Sequence, residues 1–74
     1  MTPPFDPHAV ILRLRTVVEM QGSVPEVAKK CGLKLPTLEG LMRGDGLPNS
    51  TTLAHLCHGL EISADWLLFG QVRA

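Results

Sequence analysis

Aromatic side chains are nearly missing from this sequence: its 74 residues include two phenylalanines, one tryptophan and no tyrosine. Aromatic rings bury the largest area per residue, so any core built without them has to be aliphatic. Long apolar runs are missing too. None approaches the roughly 20 residues that span a bilayer, and the opening MTPPFDPH has neither the basic nor the apolar region of a signal peptide. Cysteine is limited to Cys31 and Cys57, which is no disulfide framework; both fall on apolar helical faces, where a free thiol acts as a small hydrophobe. A soluble cytoplasmic protein with reduced thiols is expected. Net charge is also absent, at a formal +0, which taken alone argues against a nucleic-acid partner.

What is present points to a folded domain. The apolar fraction of 45% is that of a globular chain, and no repeat, low-complexity segment or linker divides it, so positions 1–74 are expected to form one domain. A chain this short buries only about 60% of its unfolded surface, so its stability is expected to be modest and to lean on dimerisation. The charges are also sorted along the chain. Between positions 29 and 43, Lys29, Lys30, Lys34 and Arg43 stand against Glu39 alone, whereas Asp45, Glu61 and Asp65 face only Arg73 afterwards.

Helical signals account for nearly the whole length, and no strand is expected. Asp6-Pro7 is a helix start, and Val10, Ile11, Leu14, Val17 and Val18 recur on one face of a helix to about Gln21. Arg13, Thr16 and Glu19 are left towards solvent. Residues 1–6 are expected to form a flexible arm. Ser23-Val24-Pro25-Glu26 has the capping-box form, and Val24, Val27, Ala28 and Cys31 mark the buried stripe of a second helix, which Gly32 can end in the left-handed conformation. Pro36 disfavours a helical Leu35, so a third helix begins at Leu35 or Pro36 and runs to about Arg43, with Leu38, Leu41 and Met42 on its apolar side. After the breaker-rich Gly44-Asp45-Gly46-Leu47-Pro48, Asn49 caps a fourth helix carrying Leu53, Leu56, Cys57 and Leu60. Ser63 caps a short fifth, Ala64 to Phe69, stopped by Gly70, and residues 71–74 form a tail.

The second and third helices, joined by a tight turn at Gly32, have the layout of a helix-turn-helix. Leu14-Arg15, Glu26-Val27-Ala28, Gly32-Leu33, Thr37-Leu38, Arg43-Gly44, Pro48, Leu53 and Ser63-Ala64-Asp65-Trp66-Leu67-Leu68 with Gly70 together resemble the Cro/repressor-like, xenobiotic-response-element-type helix-turn-helix family over about Ile11 to Gly70. The resemblance implies an all-α, compact five-helix, lambda-repressor-like domain. It would bind an operator in double-stranded DNA, usually as a homodimer, and regulate transcription as a repressor of phage or mobile-element type. The chain departs from the family at Val24, where glutamine is common, and at Lys34-Leu35-Pro36, where a serine cap is followed by polar residues.

In that geometry the start of the third helix enters the major groove. Pro36, Glu39, Gly40 and Arg43 share one face opposite Leu38 and Leu41, with Leu35 and Thr37 flanking it. Leu35 and Pro36 can touch a thymine methyl, Thr37 can hydrogen-bond to several bases, Glu39 can accept from cytosine N4, and Gly40 lets backbone approach the DNA. Lys29, Lys30, Lys34 and Arg43 suit phosphate contacts, as do the helix N-termini at Ser23 and Asn49. The same lysines would also serve as a merely solvated face. A helix-turn-helix fold reused for binding protein is the alternative, suggested by Leu35, Pro36, Met42 and Glu39 on a helix that usually carries polar readers.

His55 and His58 lie one turn apart near Cys57, but that thiol points into the apolar stripe and no fourth ligand lies close in sequence, so no metal is expected. Neither a cofactor nor a small-molecule substrate is expected, and no nucleophile is paired with a base as an enzyme would require. Trp66, Leu67, Leu68, Phe69 and Val72 exceed what a short terminal helix can bury. A symmetric dimer through Trp66, Leu67, Phe69 and Val72 is therefore expected, with half-sites roughly 34 Å apart.

Overall fold

The computed structural model describes residues 6–70, and every regular element among them is helical. The helices are α1 (Pro7–Gln21), α2 (Val24–Cys31), α3 (Leu35–Arg43), α4 (Ser50–Leu60) and α5 (Ala64–Phe69). None is long and apolar enough to cross a membrane.

Local chemistry sets most of the ends. Asp6 is the N-cap of α1, as the helix start read at Asp6-Pro7 expects: its carboxylate accepts the His8 N–H at 3.0 Å, and Pro7 occupies the first turn. At α2 both halves of the capping box form. Gly32, at φ 69°, closes α2 by turning the chain left-handed, and the Leu33 N–H returns to the Ala28 carbonyl at 2.9 Å. α3 ends in the same way, with Gly44 at φ 85° and the Asp45 N–H donating to Gly40 O at 3.0 Å.

Packing then joins the helices around one aliphatic centre. α2 lies against α3 and α4, while α1 packs on α5 and α3. Val10, Leu14 and Val18 of α1 meet Val27, Leu38, Leu56, Leu60 and Leu67 in a core where each is essentially fully enclosed. Trp66 is half-buried at its margin.

Two side chains differ from their expected places. Leu67, assigned to a dimer face, is 0% exposed: α5 turns it inward, so it belongs to the core and is not available to a partner. Arg13, expected in solvent, is half-buried and donates from Nε to Leu67 O at 2.9 Å and from Nη2 to Leu68 O at 3.0 Å. Carbonyls in the last turn of a helix lack intrahelical donors, and a guanidinium fork satisfies two of them while binding α5 to α1. Val72 and the rest of the tail lie outside the described residues.

Candidate nucleic-acid interface

Leu38 and Leu41, at 0% and 9% exposure, fix the orientation of α3. They turn Leu35, Pro36, Thr37 and Glu39 outward, with Gly40 half-buried beside them. Four of the five residues named as base contacts are therefore exposed, Pro36 and Glu39 on one face with Gly40, and Leu35 and Thr37 on its flanks. At its start Lys34 is exposed and provides no side-chain cap, so the first turn of α3 carries neither a capping bond nor an acidic residue.

At the other end Arg43 is engaged. Its Nη2 and Nε donate to Asp45 Oδ2 at 2.9 and 3.2 Å. The left-handed Gly44 folds the chain back so that the carboxylate rests over α3, where a Cβ on Gly40 would meet Asp45 Oδ2 at 3.6 Å and Arg43 Nη2 at 3.8 Å. Beside this pair an open depression of about 320 Å³ is lined by Arg15 and Glu19 of α1, Val24 of α2, and Glu39, Met42 and Arg43 of α3. Sequence reading gave no site role to Arg15 or Asp45. Arg15 carried a faint signal, since it sits off the buried positions of α1; Asp45 carried only its spacing from Arg43.

Comparisons with models of protein families, with curated proteins and with solved structures found no match for this chain.

The residues named as phosphate contacts divide into groups. Lys29 and Lys34 are exposed, and their side chains make no hydrogen bond or ion pair among the described residues. Lys30 donates to Gln21 Oε1 at 2.8 Å, and the Gln21 amide in turn donates to Leu60 O at 2.8 Å, which ties that ammonium to the ends of α1 and α4. Ser23 is committed as well: its N–H and its hydroxyl both donate to Glu26 Oε1, at 3.3 and 2.7 Å. A phosphate at the start of α2 would have to displace that carboxylate. These bonds hold the Glu26 carboxyl below its ordinary value, the hydroxyl contributing most.

Asn49 caps α4 by accepting the Thr52 N–H at 2.8 Å. The first turn of α4 holds no acidic residue, and Ser50, Thr51, Ala54, His55 and His58 line a shallow open hollow of about 540 Å³ beside it. His55 Nδ1 stands 3.1 Å from Cys31 O, and since a carbonyl can only accept, that nitrogen carries the proton. No group of three or more His, Cys, Asp or Glu among the described residues is arranged to hold a metal ion. Burial pushes both thiols up, that of Cys31 against a smaller opposing pull from Lys30, so both remain protonated at neutral pH.

Proposed function

We propose that this protein is a sequence-specific, double-stranded-DNA-binding regulator of transcription, a repressor of phage or mobile-element type. In this reading α2 and α3 are a helix-turn-helix of lambda-repressor-like arrangement, and α3 lies in the major groove of an operator. The observation that carries it is the orientation of α3: two buried leucines hold it so that Pro36 and Glu39 project from one exposed face, flanked by Leu35 and Thr37, with Lys34 before it and Arg43 at its end. A face of this length suits a few base edges. Cations at its ends suit the phosphates on either side of the groove. Arg15 adds a cation beside Arg43, Lys29 is a further phosphate contact, and the binding species is a homodimer.

Salt dependence tests this directly. With three cations per subunit on phosphate, a dimer should show a slope of log affinity against log salt of about −5. A slope near zero, or no retention of duplex at low salt, would favour the second reading, a protein-binding module. The observation on that side is that Glu39 and Asp45 place two carboxylates beside Arg43.

A further inference from the structure

Resting on the DNA-binding reading above, we propose that Asp45 occupies the phosphate-binding position of Arg43 in the free protein, so that DNA binds by exchanging one oxyanion for another. Two features of the local backbone bring this about. Gly44 in the left-handed region reverses the chain, and the Asp45 N–H is pinned to Gly40 O at 3.0 Å, which sets the carboxylate over the last turn of α3.

The guanidinium is thereby held with Nε and Nη2 presented side by side to an anionic oxygen. A phosphodiester offers two unbridged oxygens to the same fork, which is the better match for a bidentate donor. Arg43 and Asp45 side chains are 64% and 60% exposed, so water screens their pair and exchange is easy. Exchange breaks the Arg43–Asp45 pair whatever the base sequence. Asp45 therefore lowers affinity for every duplex alike, and recognition has to come from the α3 face.

The test uses the full chain, a fluorescent random-sequence duplex of about two helical turns, and the variants Asp45→Asn, Arg43→Ala and the double variant. The backbone bond of residue 45 survives these exposed substitutions, and unchanged thermal melting confirms the fold. Asp45→Asn should tighten binding by about tenfold in a dimer and steepen the salt slope by about 2. In the Arg43→Ala background the same change should gain less than about a third of that factor. Wild-type binding that Asp45→Asn leaves unaltered overturns the proposal alone, as does a full gain without Arg43, which would mean simple repulsion of phosphate. No retention of duplex by wild type or any variant at low salt overturns the DNA-binding reading and this proposal with it.

Discussion

At Gly59 the backbone of α4 crosses α2 so closely that a Cβ would stand 2.6 Å from Cys31 Sγ and 2.7 Å from Cys31 Cα. The second of these is backbone and cannot turn aside. Gly59→Ala should therefore destabilise the fold by about 1–3 kcal/mol through overpacking, although alanine is the better helix former by about 1 kcal/mol. Two residues on, the opposite holds. Glu61 ends α4 at φ 58°, the single described residue other than glycine with a positive φ. Glu61→Gly should raise stability by about 0.5–1 kcal/mol by removing the clash of Cβ with the following carbonyl. Denaturant titration of both variants checks the pair, and matching signs would refute the assignment. This reversal was not legible in the sequence. A glycine near a helix end reads as a stop, whereas here it is a notch whose other wall, Cys31, is distant in sequence, and nothing in a glutamate marks a left-handed cap.

Elements were more legible, because their ends rest on bonds between near neighbours. The box at Ser23 and Glu26, the turn at Gly32 and the start of α3 at Leu35 all follow from residues within four positions. Contacts between elements were not: the bonds from Arg13 to Leu67 and Leu68 span 54 and 55 positions, and spacing along α1 gives no sign of them. The start of α3 differs from the other four helices in having no side-chain cap. Lys34→Ser should supply one and stabilise the fold by about 1 kcal/mol. If Lys34 meets phosphate, the same change should weaken duplex binding and make the salt slope shallower by about 2 for a dimer. Melting and binding measured on one preparation separate the two effects, and binding that improves with stability would remove Lys34 from the interface. At α2 the lowered Glu26 value carries a pH signature. A carboxyl with a folded value below its unfolded one stabilises fully above the unfolded value, and the contribution is lost as pH falls through the folded one. Glu26→Gln keeps the box geometry without the titration, so its stability should fall less steeply on acidification. Identical acid limbs would exclude the assignment.

For the whole molecule, composition predicted an aliphatic core, and the enclosed side chains are aliphatic apart from the Cys31 thiol. It could not apportion α5 between core and surface, because a helix of six residues has too few positions for a periodicity to register. The structure sends Leu67 inward and leaves Phe69 at 38% exposure. It also places Met20 of α1, at 79% exposure, with Thr16, Ile62 and the half-buried Trp66 around one groove of about 480 Å³. In the dimer proposed above, a face that joins Trp66 to Met20 would draw on both helices, and a small domain with little core would gain proportionately from covering it. Met20→Glu should then weaken self-association by tenfold or more, since a two-fold interface meets the introduced charge twice, while the melting of the dilute monomer stays within about 0.5 kcal/mol of wild type. Leu67→Ala should do the reverse, costing about 2–5 kcal/mol in the monomer itself through the cavity it leaves. Sedimentation velocity over a concentration series, alongside thermal melts, distinguishes them. Unchanged association in Met20→Glu would move the dimer contact away from this groove.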